Sequence, residues 1–290
     1  MSTSRRSFLK TLGVAGATLT VGKLFAKTPK KEDKTEFYGF LYDSTLCKGC
    51  MGCEYDCAEV NGLPEPEGSA KKGPLRTTTE YRRTVINRYD ETSKGKMFIK
   101  NQCMHCNEPA CASACLTKAM YKTEEGPVIW REDKCMGCRS CMIACPFDMP
   151  KFEYSSTNPI IQKCTMCFEK AIKAGETPIC AYNCPEEALI FGKRRDLLKE
   201  ARKRIAENPE TYVDHIYGET EAGGTGVIML ASVPFEELGL RTDLETSPYP
   251  ELNKTFLFSD PMIFVLGPAF LLGLRNAVIE RMKNEKNELL

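Results

Sequence analysis

Short apolar runs separated by turn residues dominate the first two thirds of the chain, and extended helical periodicity appears only after them. The stretch FYGFLYDSTLCKGC opens with a short apolar strand, and ALIFGKRRDLL holds another. Between them lies AMYKTEEGPVIWREDK, from Ala119 to Lys134. It predicts a strand, a turn at Glu124–Gly126, and a second strand carrying Val128, Ile129 and Trp130. Farther on, Leu197, Leu198, Ala201 and Ile205 share one helical face, with Asp196 placed to cap the helix and Asn208–Pro209 to end it. The segment YGETEAGGTGVIMLASVPFEELGL then reads as a glycine-rich turn entering an apolar strand. Gly223, Gly224, Thr225 and Gly226 lack the Lys-Ser/Thr ending and the following helix of a phosphate loop. They are expected to let a tail fold over the preceding domain or over a partner.

The pattern changes again in FLFSDPMIFVLGPAFLLGLRNAVIERMK. From Pro261 to Leu274 no residue is charged, a run of fourteen. A spanning helix wants roughly 20 residues. This run reaches that length only by taking in Phe256–Phe258 across Asp260, or Ala277–Ile279 across Arg275. Arg275, Arg281 and Lys283 downstream agree with a cytoplasmic C-terminus. Two readings follow, a single transmembrane anchor and a helix docked on a partner, and the anchor is favoured.

Charge adds an exclusion. Lys plus Arg number 40 and Asp plus Glu 39, so no net field draws the chain to nucleic acid. Composition adds the main clue, because all 16 cysteines fall between Cys47 and Cys184, where long apolar runs are scarce. Something other than a hydrocarbon core must hold that region.

The cysteines form four quartets. Cys47, Cys50, Cys53 and Cys57 read C-x2-C-x2-C-x3-C, and Cys135, Cys138, Cys141 and Cys145 repeat the pattern and add Pro146. Cys103, Cys106, Cys111 and Cys115 have four residues in the second gap; Cys164, Cys167, Cys180 and Cys184 have twelve, followed by Pro185. No cysteine is left over. This run is the bacterial ferredoxin signature for cubane [4Fe–4S] clusters, in which the fourth cysteine ligates the other cluster of a pair. Three thiolates in a short loop can wrap three irons, and the fourth, a turn farther on, faces the neighbouring cube. Zinc sites use separated pairs instead, and disulfides join distant positions. His105, between two ligand cysteines, reads as a hydrogen-bonding or packing residue of its loop. His215 reads as structural, and Trp130 as a packing residue beside a cluster. No open-coordinate metal, nucleophile–base pair or cofactor loop points to catalysis, so no catalytic residue is assigned.

At the N-terminus, SRRSFLK and the mildly apolar run from Thr11 to Ala26 match a twin-arginine export signal. That route exports proteins already folded with their cofactors, so the thiolates are committed to iron before they meet an oxidising compartment. Cleavage after Ala26 and an uncleaved signal both remain open, since Leu24 is a poor residue for a cleavage site.

The four quartets resemble the β subunits of molybdopterin oxidoreductases such as formate dehydrogenase and dimethyl sulfoxide reductase. LYDSTLCKGC, KNQCMHC, CRSCMIACPFDMPKFEY, ALIFGKR and YGETEAGGTGVIML are similar, more closely, to the HybA-type ferredoxin-like subunits of periplasm-facing, membrane-bound [NiFe] hydrogenases. The likeness runs from about Phe37 through the C-terminal apolar segment, and the region after Cys184 selects that type. It implies an electron-transfer subunit, not an enzyme on its own, carrying four [4Fe–4S] clusters. Electrons would pass between hydrogenase small and large subunits, or a molybdopterin catalytic subunit, and an integral membrane quinone-reactive subunit. The place would be the periplasmic side of the inner membrane. A soluble polyferredoxin is the further alternative. Cys57 is followed by Ala58 and Cys115 by Leu116, where the ferredoxin pattern has Pro; this bears on potentials and solvent access at those ends, not on ligation.

The strand–turn–strand between the second and third quartets suits an exchange of fourth cysteines. Cys103, Cys106, Cys111 and Cys145 would hold one cluster, and Cys135, Cys138, Cys141 and Cys115 its neighbour. The outer pair becomes Cys47, Cys50, Cys53 with Cys184, and Cys164, Cys167, Cys180 with Cys57, a nesting that the resembling subunits also show. The expected fold is α+β, a doubled ferredoxin-like (βαβ) cluster-binding domain with a C-terminal extension and a single transmembrane helix. The expected organisation is a signal over 1–26, a cluster domain over 35–195, a helix and partner-covering extension over 196–254, and an anchor over 255–280.

Overall fold

The computed structural model describes residues 36–67 and 75–288. The expected signal segment lies outside the described residues. In chain order the elements begin with β1 (Tyr38–Asp43), α1 (Gly52–Asn61), β2 (Thr84–Thr92), β3 (Gly95–Gln102), α2 (Ala110–Ser113), β4 (Met120–Lys122) and β5 (Val128–Trp130). There follow α3 (Ser140–Ile143), β6 (Lys151–Phe152), β7 (Ile161–Gln162), α4 (Ile179–Tyr182), β8 (Leu189–Lys193), α5 (Arg194–Glu207), β9 (Val227–Leu230) and α6 (Tyr249–Glu288). The architecture is mixed α and β, built on small sheets.

β1 is the centre of a three-stranded sheet ordered β8-β1-β9. It pairs antiparallel with β8, Phe40 opposite Phe191, and parallel with β9, Leu41 opposite Ile228. Parallel neighbours need a crossover, and α5 is part of it. Both faces of the sheet are covered. Phe40, Tyr42, Val227 and Met229 enter the main apolar core, while Leu41, Ile228 and Leu230 meet Leu197, Leu198 and Ala201 of α5. Burial on both faces accounts for the unbroken apolar run of β9.

Helix α5 ends at Asn208 as expected but starts earlier than Asp196 would cap it. β8 runs directly into the helix at Arg194, whose buried guanidinium donates to the carbonyls of Thr225 (2.6 Å), Gly218 (3.2 Å) and Glu219 (3.0 Å). Asp196 therefore sits inside the first turn and pairs with Lys199 at 3.1 Å. The glycine-rich turn lies on the loop of the second quartet, where Gly226 N donates to His105 O at 3.0 Å and Asn107 N to Gly224 O at 2.9 Å. The tail thus folds over the cysteine region of its own chain.

The hairpin β2–β3 is a feature that the apolar pattern did not announce. Met97 and Ile99 face the main core; Ile86 and Phe98 pack with Met51 near Cys47 and Cys53. A buried ion pair ties this hairpin to α1. Glu54, 2% exposed, accepts from Arg76 Nη2 at 2.6 Å and Nη1 at 3.0 Å, and from the backbone N–H of Ile86. Arg76 also donates to the Ile86 carbonyl at 2.7 Å. Removing one partner of such a pair strands the other charge, so Arg76→Ala is expected to cost about 3–5 kcal/mol. Arg76→Lys should cost less, since a charge remains. Denaturant midpoints of the two variants against the parent check this; equal midpoints for Arg76→Ala and the parent would refute it.

The cysteine region itself is lightly built. Helices α2, α3 and α4 have four residues each, and β4–β5 and β6–β7 are two-stranded. Helix α1 packs on α4, and α2 on α3. At the C-terminus α6 spans 40 residues, well beyond the anchor expected over 255–280. Among the described residues no helix is long and apolar enough to cross a membrane, so the expected transmembrane helix finds no support in the fold. Ile263, Phe264, Leu266, Phe270, Leu271 and Leu272 of α6 are exposed.

Candidate metal centres

Each quartet begins with the same backbone device. The residue before the second cysteine is left-handed in all four loops: Gly49 (φ 71°), His105 (φ 49°), Gly137 (φ 72°) and Met166 (φ 56°). This turn lets two cysteines with two residues between them converge on one centre. Glycine takes such a φ without steric cost, and His105 and Met166 adopt it while buried. Met51 and Arg139, in the gap before the third cysteine, are left-handed in the two unstretched loops. After the fourth cysteine a left-handed residue recurs three positions on, at Lys118, Asp148 and Glu187. Cys57 differs because α1 continues through it to Asn61. The missing prolines therefore have unequal effects: Cys115 makes the turn without one, and Cys57 does not.

Amide groups already point at sulfur. Met120 N donates to Cys115 Sγ at 3.3 Å, Met149 N to Cys145 Sγ at 3.4 Å and Met166 N to Cys164 Sγ at 3.3 Å. The Asn61 amide reaches Cys57 Sγ at 3.6 Å.

The influences of the thiols on one another run across the quartets. The field of Cys184 acts on Cys47, which is also close to Cys50, and Cys53 feels both Cys47 and Cys50. Cys57 acts on Cys164 and Cys167, and it lines a single cavity with Cys164, Cys167 and Cys180. Cys145 acts on Cys106 and Cys111, which also face Cys103. Cys115 acts on Cys141, beside Cys135 and Cys138. The fields between groups follow one succession: Cys53 acts on Cys180, Cys103 on Cys164, and Cys141 on Cys111. Cys50 and Cys138, in the first and last groups of that succession, are exposed, whereas Cys103, Cys111 and Cys180 are buried.

The thiols fit iron–sulfur cubes better than single ions or disulfides. All sixteen are unpaired thiols. Tetrahedral zinc at about 2.3 Å from each sulfur would bring the sulfurs to about 3.8 Å of one another. Among the described residues no three His, Cys, Asp or Glu side chains are gathered tightly enough to hold one ion. A cube of four irons and four sulfides spreads its ligands wider. Burial raises the interior thiols, Cys53 and Cys164 to about 12 and Cys145 to about 11. Their thiolates therefore need a positive centre, which iron supplies with release of protons. At the exposed end, hydrogen bonds from Ser140 lower Cys138.

Other residues of interest fall outside ligation. His105 is fully buried and neutral, its pKa pushed well down by burial and by Lys163 and Lys122. Its Nδ1 accepts from Val128 N at 2.9 Å. His215 Nε2 lies 2.7 Å from Glu221 Oε1, a structural contact. Trp130 packs against the small cluster that includes Cys111, Cys115, Cys135 and Cys141. Reasoning from sequence missed Lys100, a lysine at the end of the apolar run Met97–Ile99 and 1% exposed; a charge inside an apolar strand next to a cysteine loop was the available signal.

Comparison with known proteins agrees with this chemistry. The 4Fe-4S dicluster domain matches residues 95–194, and a twin-arginine translocation pathway signal sequence matches residues 2–22. The chain is 44% identical over 283 residues to a protein of Nitratidesulfovibrio vulgaris, covering 93% of this chain and 75% of that one. It is 33% identical to the hydrogenase-2 operon protein HybA of Escherichia coli O157:H7, covering 98% of both chains. Identity to the B subunit of the anaerobic dimethyl sulfoxide reductase of Escherichia coli K12 is 35%, over 57% of this chain and 78% of that subunit. The signal sequence marks the chain for export to the periplasm. Sixteen cysteines, the dicluster domain and the full-length likeness together specify four [4Fe–4S] clusters as cofactors. A cluster of this kind takes up and returns one electron, and the cysteine loops supply its ligation and shield it from water. The chain belongs to the HybA family of iron–sulfur electron-transfer subunits of oxidoreductase complexes.

Proposed function

We propose that this chain is the electron wire of a membrane-bound hydrogenase, relaying between the small and large subunits of a periplasmic [NiFe] enzyme and an integral membrane quinone-reactive subunit. The observation that carries the wire is the single succession of four thiol groups with Cys50 and Cys138 reaching solvent at its two ends. Each group holds one cluster: Cys47, Cys50, Cys53 and Cys184; then Cys164, Cys167, Cys180 and Cys57; then Cys103, Cys106, Cys111 and Cys145; then Cys135, Cys138, Cys141 and Cys115. The chain is thereby a doubled ferredoxin-like domain over 35–195 whose two halves nest, with 196–254 as its extension.

The hydrogenase head is preferred to a molybdopterin head on coverage. Likeness to HybA extends over 98% of the chain, whereas likeness to the sulfoxide reductase subunit covers 57%. Helix α6 is the element that meets the membrane part of the complex. Its uncharged run of fourteen residues gives about 21 Å of helix, short of a hydrocarbon core of about 30 Å. An anchor therefore needs the flanking residues across Asp260 or Arg275, or cover from the membrane subunit.

Membranes from a strain lacking this chain test the assignment. Hydrogen-dependent quinone reduction should be lost, and formate-dependent reduction should match the parent strain. The reverse pattern would transfer the wire to a molybdopterin enzyme and remove the hydrogenase head.

A further inference from the structure

Two lysines are buried among the cysteines with no carboxylate to balance them. Lys100 is 1% exposed and Lys163 3%. The Lys100 ammonium donates to Thr84 Oγ1 and, at 2.8 Å, to Gln102 Oε1; that of Lys163 donates to the carbonyls of Val128 and, at 2.9 Å, of Cys164. All four acceptors are neutral, and among the described residues neither lysine pairs with Asp or Glu. An isolated buried charge is strongly unfavourable, so an opposite charge must compensate it. The nearby groups able to do so are sulfurs. Lys100 lines the cavity that holds Cys57, Cys164, Cys167 and Cys180, and its field also reaches Cys53. Lys163 acts on Cys111 and Cys145.

The two lysines thus attend the second and third groups of the succession. The dominant influences on Cys47, Cys138 and Cys141, in the two end groups, include no lysine or arginine, whereas Cys53, the first-group thiol that acts on Cys180, feels Lys100. Water can compensate charge at an exposed end; inside, only the protein can.

We propose that Lys100 and Lys163 are fixed counter-charges that raise the reduction potentials of the two interior clusters, so that electrons pass through the buried middle of the wire without a barrier. The proposal rests on the four-cluster reading above. In each transfer one electron arrives from one neighbouring cluster and leaves to the other; no bond is made or broken. The lysines are positioning residues of the electrostatic kind, and the reduction potential is what they set.

The test is an anaerobic redox titration of the purified complex followed by electron paramagnetic resonance, with iron counted in each sample. Removing a unit charge this close should shift the oxidised-to-reduced ratio of one cluster about tenfold at fixed ambient potential, which is about 59 mV for a one-electron couple. Lys100→Met should lower one midpoint by this amount, and Lys163→Met should lower a different one. Lys100→Arg should restore the parent value. Gln102→Glu keeps the lysine but sets a carboxylate against it, so it should lower the same midpoint as Lys100→Met. This variant decides the matter if Lys100→Met loses iron. Unchanged midpoints in a fully loaded Gln102→Glu or Lys100→Met would overturn the proposal. If the parent complex itself shows fewer than four clusters, the wire reading fails instead, and the two failures are distinct.

Discussion

Replacing Cys164 with Ser should reduce hydrogen-dependent quinone reduction to background while dye reduction by the catalytic subunit continues at the parent rate. Cys164 is part-buried and lines the cavity shared with Cys57, Cys167 and Cys180, and it also feels the field of Cys103 of the next group. It also receives the Met166 amide at 3.3 Å, so its sulfur is held where two groups of the succession meet. Serine is a weaker ligand for iron, and burial disfavours its ionised form still more than that of the thiol. A wire in series has no bypass, so loss of one interior cluster separates the two ends. Cys138→Ser, at the exposed end, should leave the three other clusters intact by resonance spectroscopy. A near-parent quinone-reduction rate in Cys164→Ser, with its cluster absent, would rule out the series arrangement.

Iron removal should unfold the cysteine region while sparing the sheet. Helices α2, α3 and α4, each of four residues and without side-chain caps, are far below the length at which a helix holds itself. Two-stranded sheets such as β4–β5 and β6–β7 are marginal in water as well. Around α2, α3 and the two hairpins the small buried cluster amounts to Cys111, Met120, Val128 and Ile161, with Met104 and Ile129 the buried residues of this stretch that reach the main core. Cluster ligation therefore replaces the missing core, and metal binding is folding free energy here. The sheet β8-β1-β9 has an apolar core on each face and does not depend on iron in the same way. Hydrogen exchange on anaerobically chelated protein should show amides from 103 to 162 lose protection while those of β1 and β9 keep much of theirs. Equal protection of both regions after sixteen irons are removed would contradict this account.

Local chemistry was readable from local sequence. The intervals within each cysteine quartet, the glycines at 49 and 137, the turn at Glu124–Gly126 and the strand of Val128–Trp130 all act within a few residues, where sterics and ligand spacing decide the outcome. The apolar strand after the glycine-rich turn and the end of α5 at Asn208 belong to the same class. His105 and Met166 show where local reading stops. Neither has glycine's freedom of backbone, yet each takes the position that glycine holds in the other two loops, because the loop must close on the same kind of centre. The start of α5 departs from its sequence signal for a related reason: a cap residue is a local preference, and the buried contacts of Arg194 to Thr225, Gly218 and Glu219 outweigh it.

By itself, then, the sequence determined the metal chemistry, the export route and the apolar stripes of the short elements, since each depends on residue type and spacing within one stretch. Tertiary structure alone decided that β9 joins β1 in parallel, that the hairpin β2–β3 closes over the first cysteine loop, and that Lys100 and Lys163 lie buried beside interior thiols. These features unite positions far apart in the chain. Their formation depends on whether the burial gained on closure exceeds the entropy lost in bringing those positions together, a balance that no single stretch of residues contains.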